Sequence, residues 1–259
     1  MGIQENKISF TGQEVAYFNW SNSETPPPLW EFVEKPALTE GIAFALQTLK
    51  ENDPGRVIKS LDIGVGGGKV LGLLKELGVE DNDLIGTDLN SKLLELVGNK
   101  YPDITLRHAD LSSVNHNKNL SDKEPFDIIT CSMVLNHLDD VQVEQAVQNI
   151  AQLLGHDGFF VGLVPYPRRF NEPYKQTKTS VGTFTEENTP WGGQVTYYYR
   201  SFNQYFDLFD AIGGMVAVYT KTYMKSYLDP SDLVLEKMKE YPKRELIVAR
   251  KWPINHPKI

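Results

Sequence analysis

The sequence predicts an α/β fold with a doubly wound, mostly parallel sheet covered by helices on both faces. Three observations carry that reading. Short apolar runs alternate with helix-period stripes from residue 56 to residue 164. The runs are apolar almost throughout, as strands covered on both sides must be. Several end on an acidic residue, and the first is followed at once by a glycine-rich bend, Gly64-Val65-Gly66-Gly67-Gly68.

Each element follows in order. Met1 to Pro28 is polar with scattered aromatics and breaks at Pro26-Pro27-Pro28, and such a segment does not join a central strand. Residues 1–36 therefore form an arm, rich in Tyr17, Phe18, Trp20 and Trp30. These rings either staple the arm to the domain or close it as a lid over a ligand. Leu38, Ile42, Leu46 and Leu49 make one helical stripe that ends near Asn52-Asp53-Pro54-Gly55. Arg56 to Ile63 is the first strand, and Val70, Leu71, Leu73, Leu74 and Leu77 mark the helix after the bend. Leu84 to Leu89 is the second strand, followed by a helix through Leu93, Leu94 and Val97. Ile104 to Leu111 is the third, residues 112–124 are a loop, and Phe126 to Leu138 is a fourth strand whose end enters the cleft. Val143, Val147, Ile150 and Leu154 form a helix stopping at Gly155-His156-Asp157-Gly158, before a fifth strand, Phe159 to Val164.

Residues 165–200 interrupt the alternation with eight aromatic residues among polar ones. Ordered insertions of that length are usually functional. Ser201 then caps a helix bearing Phe202, Tyr205, Phe206 and Phe209, and Met215 to Thr222 and Glu245 to Trp252 are the last two strands. Residues 37–259 thus read as one domain with an insertion, without internal repeats.

Bulk properties narrow the function. The 259 residues carry a net charge of −8, which disfavours nucleic acid as a partner because phosphate binding needs a basic face. No apolar run approaches a bilayer span and no secretory leader is visible, so a cytoplasmic protein without a membrane partner is expected. The single cysteine, Cys131, excludes an internal disulfide, and the five histidines show no metal-ligand spacing, so no metal is expected.

The glycine bend separates nucleotide folds by spacing. A phosphate-binding loop needs Lys then Ser or Thr after its last glycine, but Val70 follows Lys69. A dinucleotide fingerprint needs a third glycine where Lys69 stands. What remains is D-x-G-x-G-x-G, formed by Asp62, Gly64, Gly66 and Gly68. Asp88 closes the second strand about 26 residues after Asp62, near the separation at which a doubly wound fold places its ribose-binding acid.

These motifs, with Asp110-Leu111 ending the third strand and the Val134-Leu135-Asn136-His137-Leu138 segment, resemble the class I S-adenosylmethionine-dependent methyltransferases. Glu34-Lys35-Pro36-Ala37-Leu38 is similar to the lid segment of the family's small-molecule members, and Tyr198-Tyr199-Arg200-Ser201 to the segment after their substrate-covering insertion. The resemblance implies a Rossmann-like, seven-stranded sheet with its last strand antiparallel and S-adenosyl-L-methionine as cofactor. It implies that Asp62 with Gly64, Gly66 and Gly68 holds the methionyl part, Asp88 the ribose hydroxyls, Asp110 the adenine amino group, and Leu111 the ring. Tyr17, Trp20, Leu89, Ser132, Met133 and His137 complete the expected cofactor set. Trp30, Tyr166, Trp191, Tyr198 and Arg200 are expected at the substrate.

Two roles are open to His137, a catalytic base or a contact beside the cofactor, and Asn136 is a second catalytic candidate that would orient the acceptor. Asp139 and Asp140 could hold a divalent ion, but capping of the following helix is the reading preferred. The aromatic insertion suits a small, flat acceptor methylated on O or N, natural-product-like and bound by a monomer or homodimer. An NAD(P)-dependent oxidoreductase and a non-catalytic cofactor-binding module are the alternatives. Lys69 in the glycine slot and the absence of a Tyr-x-x-x-Lys helix near the fourth strand weigh against the oxidoreductase.

Overall fold

The computed structural model describes residues 12–114, 120, 125–165, 182–186, 189, 195–223 and 244–251. The strands are β1 (Ser60–Ile63), β2 (Leu84–Asp88), β3 (Thr105–His108), β4 (Phe126–Ser132), β5 (Leu154–Pro165), β6 (Gly182–Glu186), β7 (Val195–Tyr199), β8 (Met215–Tyr223) and β9 (Arg244–Lys251). The helices are α1 (Glu14–Ser21), α2 (Lys35–Asn52), α3 (Lys69–Glu76), α4 (Ser91–Lys100), α5 (Asp140–Leu153) and α6 (Phe202–Gly213).

Seven strands form one sheet in the order β3-β2-β1-β4-β5-β9-β8, and β6 pairs with β7 as a separate hairpin. The first five strands pair in parallel, whereas β9 runs antiparallel to both β5 and β8. The Rossmann-like sheet with its last strand antiparallel is therefore present. Because β9 runs backwards, its first residues, Arg244 and Glu245, lie opposite Pro165 and Val164, at the edge where the parallel strands end. That edge holds the glycine bend, so β9 contributes to the ligand-binding side of the sheet.

Two apolar cores flank the sheet. Ile128, Phe159, Val161, Leu163, Leu246 and Val248 pack toward α2, α3 and α4. Ile129, Phe160, Val164, Ile247 and Ala249 pack toward α5 and α6. Neighbouring residues of one strand thus enter opposite cores, which accounts for their unbroken apolar runs.

The structure differs from expectation at several boundaries. β3 stops at His108, so Asp110 and Leu111 sit in the turn beyond it. β4 stops at Ser132, where Met133 adopts a left-handed backbone (φ 58°), and Leu135–His137 forms one 3-10 turn. β5 begins at Leu154 rather than Phe159, because Leu154 pairs with Phe126 before a register shift, and Lys251 Nζ caps the carbonyls of Ala151 and Leu154, each at 2.7 Å. The arm contains α1 and a π-helical turn (Trp30–Glu34) leading straight into α2. Helix α1 has no one-sided apolar stripe, so periodicity could not reveal it.

Candidate active site

The glycine bend is built by backbone geometry that side chains rarely tolerate. Gly64, Gly66 and Gly68 have φ of 74°, 49° and 78°. The Gly64 and Val65 amides donate to Thr87 O at 2.7 and 3.0 Å, which ties the bend to the end of β2. Gly66 N donates to Asp88 Oδ2 at 2.9 Å, and Asn90 N to Asp88 Oδ1 at 2.8 Å. Asn90 in turn caps α4, accepting from Lys92 and Leu93. Asp88 is thereby held in one orientation at the mouth of the cleft, its pKa raised by burial although the backbone bonds oppose that rise.

Asp62 lies deeper, 1% exposed. Thr130 Oγ1 donates to its Oδ1 at 2.7 Å, while Oδ2 is buried with no partner. Burial, with the Asp88 charge adding to it, pushes the Asp62 carboxyl up to about 7. An orphaned acceptor beside a bare-backbone bend fits a ligand that brings its own N–H donors, as the methionyl ammonium would. Asp110 is half-buried and its Oδ1 accepts from Ser112 N and Oγ at 2.9 and 2.7 Å. Leu89 is half-buried beside Asp88, whereas Leu111 is buried in the α5–α6 core and its carbonyl accepts from Asn149 Nδ2. Leu111, expected against the adenine ring, thus lies at the edge of a core in the turn after β3.

The arm lies across the bend. A Cβ on Gly66 would stand 2.8 Å from Tyr17 Oη, and one on Gly67 2.4 Å from Ser21 Oγ. Asn22 Nδ2 donates to Gly67 O at 2.9 Å, and Asn90 Nδ2 donates to Glu14 Oε1 at 3.2 Å. Burial raises the Tyr17 phenol, and the Asp88 carboxylate adds to the rise. Trp20, 6.1 Å from the Tyr17 ring, and Trp30 flank Lys69. Their ring centroids lie 5.7 and 5.0 Å from Lys69 Nζ, a cation–π arrangement that anchors the arm on the start of α3. Burial pushes Lys69 down to about 8. Trp30, expected at the substrate, also lines a seam cleft of about 230 Å³ with Lys35, Lys69, Lys100 and Tyr101. None of the acidic residues of the bend reaches it, and Lys35 and Lys100 are already bonded to Glu76 and Asn22.

Beyond β4 the opposite wall begins. Ser132 and Met133 are half-buried at the strand end, and Met133 N donates to Leu163 O at 2.8 Å. A left-handed non-glycine residue at such a place stores backbone strain, a feature that clusters at functional sites. The His137 ring lies 5.1 Å from Tyr197 of β7, and Tyr197 lies 6.3 Å from Tyr199. Asn136 is wholly buried, with neither amide atom bonded.

Arg200, expected at the substrate, is instead 1% exposed. Its NH2 nitrogen donates to Leu138 O at 2.9 Å and to Asp140 Oδ1 at 2.8 Å, and its NH1 nitrogen reaches Leu135 O at 3.5 Å. The guanidinium therefore grips the turn that carries Asn136 and His137. Tyr198 is half-buried, 6.0 Å from the Arg200 guanidinium. Tyr166 and Trp191 lie outside the described residues. Asp139 caps α5 through a reciprocal box with Gln142, and Asp140 pairs with Arg200, so both have structural partners.

Sequence reading missed Glu245. It lies second in β9, 7% exposed, with Oε2 unpartnered, and burial alone pushes its carboxyl up to about 7. Nothing in a strand pattern marks such a residue; only the antiparallel course of β9 brings it to this edge.

With this geometry in place, the comparisons with known proteins are decisive. Residues 29–234 match the family described as "Methyltransferase domain". The chain belongs to that family. Its fold is that of the S-adenosylmethionine-dependent class I enzymes. The CcbJ methyltransferase of Streptomyces caelestis aligns over 95% of this chain and 99% of its own, at 15% identity and a TM-score of 0.60. A magnesium protoporphyrin IX methyltransferase of Synechocystis aligns over 92% and 93%, at 10% identity and 0.57. An S-adenosylmethionine-dependent methyltransferase of Mesorhizobium loti aligns over 82% and 99%, at 19% identity and 0.54. No curated protein matches the sequence. The methyltransferase uses S-adenosylmethionine as methyl donor. No described helix is long and apolar enough to cross a membrane.

Proposed function

We propose that this methyltransferase moves a methyl group to an O or N atom of a small, aromatic or heterocyclic acceptor. The observation that carries the reading is the row of aromatic rings, His137, Tyr197 and Tyr199, beside the turn that follows β4. Flat rings favour a flat acceptor, and the Synechocystis neighbour, a magnesium protoporphyrin IX methyltransferase, accords with a small ring-bearing one.

In this reading Asp62 and the glycine bend hold the methionyl end of the cofactor, Asp88 the ribose hydroxyls and Asp110 the adenine amino group. The orphaned Asp62 oxygen and the fixed Asp88 carboxylate support those roles. Bound there, the sulfonium supplies an electrophilic methyl carbon for in-line displacement without a covalent enzyme intermediate. Tyr17 and α1 cover the bend and exclude water from it. His137 takes the acceptor's proton from the wall opposite, while Arg200 and Tyr197 hold its turn and ring in place.

Incubation with methyl-labelled S-adenosylmethionine and a panel of phenols, indoles and amines tests this reading. Transfer of label to a ring-bearing small molecule is expected. Cofactor binding without transfer to any panel member would contradict it. His137→Ala should lower kcat by about 100-fold with cofactor affinity unchanged, whereas equal loss of both would make it a cofactor contact.

A further inference from the structure

Among the described residues, five charged side chains are buried: Asp62, Asp127, Arg200, Arg244 and Glu245. Asp127 is engaged by Arg56 and by Lys59 N, Arg200 by Asp140, and Arg244 by Glu34. Asp62 accepts from Thr130 and faces the cofactor bend. Glu245 alone has neither an ion pair nor a hydrogen bond, and its Oε2 is shut away from water. A protein that partners its other buried charges leaves this one for something else.

Its position says what that is. Glu245 pairs with Val164, one residue beyond the row in which Leu246 pairs with Leu163 and Leu163 with Ser132 at the end of β4. Two strand spacings separate β9 from β4, so the Glu245 backbone lies about 10 Å from the strand end that bears Met133 and the His137 turn. Glu245 shares its face with Ile247 and Ala249, in the core that also holds Tyr205 of α6. Burial raises the Tyr205 phenol, the nearby Arg200 guanidinium opposes that rise, and the Glu245 carboxylate adds to it. Arg200 in turn grips the carbonyls of Leu135 and Leu138, on either side of Asn136. Asn136 is buried here with both Oδ1 and Nδ2 unbonded, as are the Tyr205 hydroxyl and Arg200 Nε.

We propose that Glu245 and Asn136 are the polar anchor of the acceptor pocket, and that the acceptor carries a cationic amine whose N–H groups they accept. The inference rests on the methyltransferase reading of the cleft and narrows its substrate class. A cation answers the buried carboxylate's charge, which a neutral hydroxyl does not. The rings of His137, Tyr197 and Tyr199 supply faces that suit a positive group. Asn136 adds an acceptor for a second N–H and a donor for a neighbouring oxygen.

Matched acceptor pairs test the proposal: tyramine against 4-ethylphenol and tryptamine against 3-ethylindole, measured for binding and for transfer of labelled methyl in wild type and Glu245→Gln. The expected result is at least a tenfold preference of wild type for the amine of a pair, abolished in Glu245→Gln, with S-adenosylhomocysteine affinity unchanged within about twofold. Wild type that binds neither amine, or prefers the neutral partner, overturns the proposal whatever the variant does. So does a preference that survives Glu245→Gln. Wild type that binds no S-adenosylhomocysteine would instead remove the methyltransferase reading beneath it.

Discussion

The two sides of the cleft are built differently. On the donor side, β1, β2 and the glycine bend fix Asp88 through two backbone amides, and the bend is tied to Thr87 O by two more. On the proposed acceptor side, Asn136 and Glu245 are buried with polar atoms unbonded, and long-range contacts from Arg200 and Tyr197 hold the turn that carries Asn136. A ligand that is always the same is met by local, prepaid geometry. A ligand that varies among relatives is met by isolated polar atoms on elements far apart in sequence, which can change without disturbing the bend.

That contrast can be broken or sharpened by substitution. The largest effect is expected at Arg200, where truncation leaves the Asp140 carboxylate and two loop carbonyls without their donor. Arg200→Ala should destabilise the fold by about 3–5 kcal/mol in urea unfolding. At temperatures where the variant is folded it should lower kcat and leave cofactor affinity within about threefold. Loss of cofactor binding in folded Arg200→Ala would show that the two sides are not separable.

Asp88→Ala comes next. Removing a carboxylate that orders the bend and, in the proposed reading, accepts from the ribose hydroxyls should cost about 3 kcal/mol, or roughly 100-fold in S-adenosylhomocysteine affinity by calorimetry. Unchanged affinity would mean that the bend, not the acid, carries recognition.

The buried carboxyls, each with an unbonded oxygen, make stability depend on pH in a stated direction. Asp62 and Glu245 both have folded-state pKa values raised to about 7, above their unfolded values near 4. Their contribution is fully present below the unfolded values and is lost as pH rises through about 7. Glu245→Gln should therefore match wild type near pH 4 and exceed it by about 2–3 kcal/mol at pH 8 in denaturant unfolding of the ligand-free protein. Equal stability at both pH values would show that Glu245 has found a partner.

The smallest effect is expected from the arm's anchor. Lys69→Ala removes the cation under Trp20 and Trp30 and should loosen the arm by about 1 kcal/mol, seen as a few-fold weaker cofactor affinity with kcat unchanged.

The same division decides what the sequence disclosed. Asp62, Gly64, Gly66, Gly68 and Asp88 announce themselves because each lies within a few residues of a strand end, where spacing and residue type carry geometric meaning. Helix α1 stayed hidden because its apolar residues are spread around it with no one-sided stripe. Arg200 was expected at the substrate because it closes the aromatic insertion; its burial depends on carbonyls more than 60 residues away. Glu245 was invisible, since its meaning comes only from the direction in which β9 enters the sheet.

Isothermal titration of the purified protein with S-adenosylhomocysteine, run beside NAD, tests the central claim most directly. Saturable binding of S-adenosylhomocysteine at one site per chain, with no heat from NAD, is the predicted result. Binding of NAD alone, or of neither, would contradict the assignment of the glycine bend and its carboxylates to a sulfonium donor.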